Sequence, residues 1–249
     1  MQRASMGSDS DDDFDDEYDE AQDVELGFVA RVQDADASTL LLHAQPDWSQ
    51  WDGGKVGGKP VWLNPRTVPT AAQLACVECG HALSFLLQIY CPLDDVADAF
   101  HRSLYVFCCR HAGCSKQGNG KVFRAQLPQR NALYPEESGV THFEPPASDE
   151  MPSFCVLCNQ RAVFTCSACH VARYCSKEHQ KDHWSRGGHK QDCAQCLQEN
   201  TLIETGVDEL RAKGSKWMFP EYEMVIDHEP DAREAANEHE AKLLADFEK

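Results

Sequence analysis

Between Cys155 and Cys193, eight residues able to bind a thiophilic metal fall into four ordered pairs: Cys155-x2-Cys158, Cys166-x2-Cys169, Cys175-x3-His179 and His189-x3-Cys193. Zinc takes four thiolate or imidazole donors in a tetrahedron, and a Cys-x2-Cys turn brings two sulfurs to one ion. Four pairs make two closed sites. With every position filled by protein, neither ion keeps a place for water or substrate, so this zinc is structural rather than catalytic. Upstream, Cys76-x2-Cys79 is followed by Cys108, Cys109 and Cys114, the pair-and-pair spacing of a zinc ribbon. This signal for a third zinc is weaker, because free cysteines are also common small core residues. Cys109 is the expected partner of Cys114, since both lie beyond the preceding strand, with Cys108 as the alternative. Cys91 and Cys196 have no partner spacing and receive no role.

The elements that must position these ligands are partly readable. Leu83 to Tyr90 and Ser103 to Phe107 are rich in aromatic and aliphatic residues and predict a buried hairpin joining the two ribbon pairs. Ser176 is placed to cap a short helix carrying His179, and Gly187-Gly188 stops it before His189 and Cys193, themselves one helical turn apart. Val24 to Ala30 and Leu40 to His43 read as strands, and Lys55 to Leu63 is a glycine-punctuated segment with Trp62 at its apolar end. The chain divides into an acidic tail (1–23), a β-rich domain (24–134), a linker (135–152), a small zinc finger (153–196), a linker or helix (197–216) and a last segment (217–249). In that last segment Phe219, Tyr222, Met224 and Ile226 alternate as in a strand, and Asp231 to Lys249 predicts an amphipathic helix. A lone strand is not stable in water, so it is expected to pair with the β-rich domain, making the finger an insertion. The fold class is mainly β (α+β): a β-rich domain with a zinc-ribbon-like hairpin and an inserted finger. As a separate module, the finger is expected to unfold alone when Cys155 or Cys166 is lost.

Composition narrows the function. The formal net charge is −18, and residues 9 to 20 are almost wholly acidic, too charged to bury. Direct nucleic-acid binding is disfavoured, since it draws most of its affinity from basic patches. Arg173, Lys177, Lys181, Arg186 and Lys190 cluster on the finger and read as a solvated face. The 13 cysteines are odd in number and arranged as knuckles with histidine partners, and the N-terminus is acidic rather than apolar. A reducing compartment, cytosol or nucleus, is expected. The longest apolar stretch, Phe85 to Tyr90, is far too short to cross a membrane. No dinucleotide-type glycine loop, Walker sequence or His-Glu-x-x-His is present, so no enzyme is expected. His101 reads as structural, and Tyr174 and Trp184 as the finger's small core.

The run Ala172-Arg-Tyr-Cys-Ser-Lys-Glu-His-Gln180 and the ending Gly188-His-Lys-Gln-Asp-Cys193 resemble a MYND-type zinc finger. Its ligands interleave in a cross-brace, which implies that Cys155, Cys158, Cys175 and His179 share one zinc while Cys166, Cys169, His189 and Cys193 share the other. Around it, Val24-Glu-Leu-Gly-Phe28, Val56-Gly-Gly-Lys-Pro-Val-Trp-Leu63, Cys76-Val-Glu-Cys-Gly80, Ala99-Phe-His-Arg102, Phe107-Cys-Cys109, Val122-Phe-Arg-Ala-Gln-Leu-Pro128 and Phe219-Pro-Glu-Tyr-Glu223 resemble the programmed cell death protein 2 family. The resemblance runs from about residue 24 to about 227 and points to its finger-bearing branch. It implies a dedicated chaperone that binds a newly made small-subunit ribosomal protein of the S5 type and aids its delivery to the nascent 40S particle. Family members usually continue into a further C-terminal domain, whereas this sequence ends at Lys249. An acidic escort suits a client with basic, RNA-binding surfaces. The alternative is an adaptor whose finger grips proline-containing peptides of transcription or chromatin regulators through Tyr174, Gln180 and Trp184.

Overall fold

The computed structural model describes residues 25–30, 54–114, 119–134 and 147–228. The acidic tail, the Leu40 to His43 strand, most of the 135–152 linker and the C-terminal helix lie outside them. Residues 27–226 form one compact unit.

The strands are β1 (Glu25–Ala30), β2 (Lys55–Val56), β3 (Ser84–Tyr90), β4 (His101–Cys108), β5 (Gly120–Leu127), β6 (Phe164–Thr165), β7 (Arg173–Tyr174) and β8 (Tyr222–His228). The helices are α1 (Lys177–Ser185), α2 (His189–Glu199) and α3 (Val207–Lys213). One six-stranded sheet has the order β1-β8-β2-β3-β4-β5, and β6 pairs with β7 in a separate small hairpin. Among the described residues the chain is therefore mainly β, with its α-helices confined to the finger region and its C-terminal flank.

Period-two patterning builds the sheet. In β4, His101, Ser103, Tyr105 and Phe107 point inward, alternating with half-buried neighbours. Of these, Tyr105 and Phe107 meet Trp62, Val68, Leu74, Leu83 and Phe85 in the main core. The Trp62 and Tyr105 ring centroids are 4.8 Å apart, and Phe85 meets Phe107 edge-on at 5.6 Å. The buried Tyr105 hydroxyl accepts from Leu63 N at 2.6 Å and donates to Val61 O at 2.9 Å, which ties the loop after β2 onto the sheet. His101 is structural: its Nδ1 lies 3.0 Å from the Tyr90 hydroxyl and its ring packs on Tyr134.

The segment Lys55 to Leu63 is a strand only at Lys55–Val56, because Gly57 and Gly58 turn the chain at positive φ. β8 begins at Tyr222, so Phe219 precedes it. Lys55 pairs with Glu223 and Val56 with Tyr222, and the buried Lys55 ammonium bonds the Glu221 carboxylate. The finger is thus inserted between β5 and β8 of one sheet. Gly57 N donates to Leu86 O at 2.7 Å and Gly58 N to Phe219 O at 3.0 Å, so the glycine turn bonds both sides of the closure. A Cβ at Gly57, where φ is +69°, would lie 1.9 Å from Pro220 O. Gly57→Ala is expected to destabilise the protein by at least about 1–3 kcal/mol, read from urea unfolding. An unchanged midpoint would mean the turn is not needed to seat β8.

Candidate metal centres

Three backbone knuckles present the first cysteine pairs, and all use the same device. Gly80, Asn159 and His170 each follow the second cysteine and adopt positive φ. Their N–H groups donate to the carbonyls of Cys76, Cys155 and Cys166 at 3.0, 2.9 and 2.9 Å. The left-handed residue closes the turn so that both sulfurs face one point; glycine and asparagine adopt it readily, histidine less so. In two knuckles the amides also face the first sulfur. The N–H groups of Cys79 and Glu78 draw the Cys76 thiol down to about 6. Burial pushes Cys166 up, but the Cys169 and Ala168 amides bring it below the ordinary thiol value.

Of the later pairs, His179, His189 and Cys193 sit on helices as expected, while Cys175 lies just before the Ser176 cap. The Ser176 hydroxyl accepts from His179 N at 3.2 Å, capping α1, and α2 starts at His189 with Cys193 one turn on. Interleaving also holds. One cluster joins Cys155, Cys158, Cys175 and His179, another Cys166, Cys169, His189 and Cys193, and a third Cys76, Cys79, Cys109 and Cys114. Within each, all donor atoms lie within 4.8 Å of one another. Cys109, not Cys108, faces the third cluster, because Cys108 is still in β4 opposite Ser84 and Gly120.

The geometry fits zinc. With Zn–S near 2.3 Å and Zn–N near 2.0–2.1 Å, a tetrahedron has edges of about 3.8 Å between sulfurs and about 3.6 Å between sulfur and nitrogen. Cys166 and Cys193 are 3.9 Å apart, Cys158 and Cys175 3.4 Å, Cys76 and Cys114 3.7 Å, and Cys79 and Cys109 3.6 Å. His179 Nδ1 lies 3.6 Å from the Cys155 sulfur, and His189 Nε2 lies 3.6 Å from that of Cys169. The donor chemistry agrees. Burial and the neighbouring Cys155 push Cys158 well above the thiol range, while Cys155, despite burial, is drawn well below it by Cys158, Cys175 and His179. Buried thiols this close cannot all ionise unaided, and a dication removes the conflict. Such an ion supplies cross-linking; the protein fills every position around it.

Several supporting residues were not legible beforehand. Arg211 of α3 is buried and donates from Nε to Leu157 O at 3.1 Å and from Nη2 to Val156 O, inside the Cys155–Cys158 knuckle. Its Nη1 donates to Asp208 Oδ1 at 2.8 Å. Val207, Leu210 and Met218 join the finger's core, which therefore continues beyond Cys196. Cys196 is itself part of that core. Tyr174 is fully buried, its hydroxyl 3.0 Å from His183 Nδ1, but Trp184 is 42% exposed and not core as expected. It lies on the outer side of α1, touching His189 edge-on at 5.9 Å.

The finger also docks on the sheet. Trp62 Nε1 donates to Asn159 O at 2.6 Å, Asn159 Nδ2 to Pro60 O at 3.0 Å and Gln160 Nε2 to Leu83 O at 3.1 Å. All three bonds involve the two residues that follow Cys158.

A family model described as the N-terminal domain of programmed cell death protein 2 matches residues 23–141, and one described as the MYND finger matches residues 155–193. Programmed cell death protein 2 of Bos taurus is 38% identical over 209 residues, covering 77% of this chain and 55% of the relative. The Mus musculus protein is 38% identical over 221 residues, covering 84% and 56%. Programmed cell death protein 2-like of Homo sapiens is 38% identical over 104 residues, covering 39% and 28%. The chain spans about half the length of the first two. No solved structure matches. Neither matched family is an enzyme family. With a sheet domain, a docked finger and three zinc-type clusters in the expected order, this chain belongs to the programmed cell death protein 2 family.

Proposed function

We propose that the chain escorts a newly made, basic ribosomal protein of the small subunit, of the S5 type, toward the 40S particle, in cytosol and nucleus. The observation that carries this reading is a formal charge of −18 on a member of this family. Before assembly, a ribosomal protein exposes cationic surfaces intended for RNA, and an acidic partner occupies them against other polyanions. The same charge supports a protein partner over nucleic acid. Among the described residues no helix is long and apolar enough to cross a membrane.

The test is co-expression with an S5-type ribosomal protein, affinity capture, and a salt series on the complex. A stoichiometric complex that weakens as salt rises is expected; no complex at low salt overturns the reading for residues 1–249. The exposure of Trp184 favours a second role, binding of proline-containing peptides by the finger. Because the finger is bonded to the sheet, its deletion would disturb both surfaces. Trp184→Ala is the cleaner comparison: it should leave ribosomal-protein capture unchanged and abolish peptide capture. Loss of the ribosomal protein instead would assign the client to the finger.

A further inference from the structure

Helix α1 turns one stripe away from the finger's core. At about 100° per residue, Lys177, Lys181 and Trp184 fall within an arc of about 60°, on the side opposite the buried His179 and His183. All three are exposed. The two acids of the helix stand off this stripe: Glu178 lies about 60° beyond Lys181, and the carboxylate of Asp182 is taken by Arg186 at 3.2 Å. Neither lysine ammonium has an ion-pair or hydrogen-bond partner among the described residues.

Two features mark the stripe as a binding face. Lysines four residues apart on a helix repel each other, and a glutamate at either position would instead have paired with its neighbour. The chain has 41 acidic and 23 basic residues, so an acid-free cationic stripe runs against its composition. Arg173, just before the helix, adds a third exposed cation, its Nη1 donating to Thr165 Oγ1 at 3.4 Å. The second feature is Trp184, 42% exposed yet seated: its ring meets that of His189 at 5.9 Å with the planes 72° apart. Because His189 belongs to the second finger cluster, the tryptophan is held by a residue that is itself fixed.

We propose that this stripe binds an acidic segment of a protein partner, a proline lying on the Trp184 ring while carboxylates pair with Lys177 and Lys181. The proposal rests on the reading that the finger takes proline-containing peptides, and adds what such a peptide must carry. Lys177 lies seven residues before Trp184, about 10.5 Å along the helix, and an extended proline-type chain advances about 3.1 Å per residue. The carboxylates therefore fall within about four residues of the proline, on one side of it. A basic ribosomal protein is repelled by the same lysines, which separates this partner from that client.

The test uses the whole zinc-loaded chain and labelled proline peptides flanked by glutamate, glutamine or lysine, with binding read by fluorescence anisotropy. The glutamate peptide is expected to bind about 5–10-fold more tightly than the glutamine peptide at low salt, as two solvent-exposed ion pairs would give, and the lysine peptide most weakly. The gap should close as salt rises. Lys177→Gln combined with Lys181→Gln should remove the preference, while the glutamine peptide binds as before and the melting temperature does not fall. Equal binding of glutamate and glutamine peptides to the wild type overturns the proposal and leaves the finger's peptide role standing. Failure of every peptide to bind overturns both. A preference that survives the double substitution also overturns the proposal, and single-stranded RNA bound more tightly than the glutamate peptide through the same lysines overturns it by assigning the stripe to nucleic acid.

Discussion

Cys158→Ser is expected to release zinc from the first finger site, unfold the finger and weaken the sheet with it. Structural zinc in small fingers is worth roughly 10–16 kcal/mol of apparent binding free energy near neutral pH, far more than a domain this small gains from its apolar core. The finger, however, is not an independent bead. Asn159 and Gln160, immediately after Cys158, hold Trp62, Pro60 and Leu83 of the sheet domain. Each lost bond contributes about 0.5–1.5 kcal/mol, and Trp62, now buried, is uncovered. Hydrogen exchange should therefore show protection falling in β3 and β4 as well as in residues 153–199. Cys166→Ser, in the second site, should unfold the second half of the finger with a smaller loss of protection in the sheet. Equal, full protection of β3 and β4 in both variants would mean that the docking bonds add nothing to the sheet's stability.

The ligand pairs and their helices were legible because their determinants are local. A knuckle, the Ser176 cap and the Gly187-Gly188 stop each act within one turn, so spacing alone suffices. The β3–β4 hairpin was readable for a similar reason, since alternation reports a half-buried sheet face. The missing parts depend on distant contacts. β5 was not foreseen, because Lys121 and Arg124 break its apolar pattern; the Lys121 ammonium in fact donates to Gln73 O and Ala75 O beside the ribbon knuckle. Trp184 was expected in the core on residue type, yet Tyr174, His183 and α3 already fill that space. Nothing in the local sequence of Val207–Lys213 shows that its arginine enters a knuckle more than fifty residues earlier.

Arg211→Met is expected to cost about 2–5 kcal/mol and to speed loss of zinc from the first finger site. The guanidinium spans two consecutive carbonyls, Val156 O and Leu157 O, with its Nη1 held by Asp208. Methionine keeps much of the volume but leaves both carbonyls buried without donors, at about 1–3 kcal/mol each. Those carbonyls lie between the two cysteines of the knuckle, so their relaxation moves the sulfurs. Arg211→Lys should recover only part of the loss, because one ammonium cannot reproduce the planar fork. Urea unfolding and the rate of zinc transfer to a chelator measure the two effects. A stability change below about 0.5 kcal/mol, with unchanged transfer, would mean that water replaces the arginine without cost.

The Lys55–Glu221 ion pair joins groups 166 residues apart, across the whole finger. During synthesis the early strands therefore leave the ribosome long before β8 exists, and β2, only two residues long, has little with which to hold its place until then. The finger ligands span only residues 155–193, a short loop that closes at small entropic cost and can capture metal as soon as it emerges. Metal capture would thus shorten the effective distance between β5 and β8 before the sheet is sealed. Cells short of zinc should accumulate nascent chains with an open, aggregation-prone sheet edge rather than a folded sheet lacking its finger.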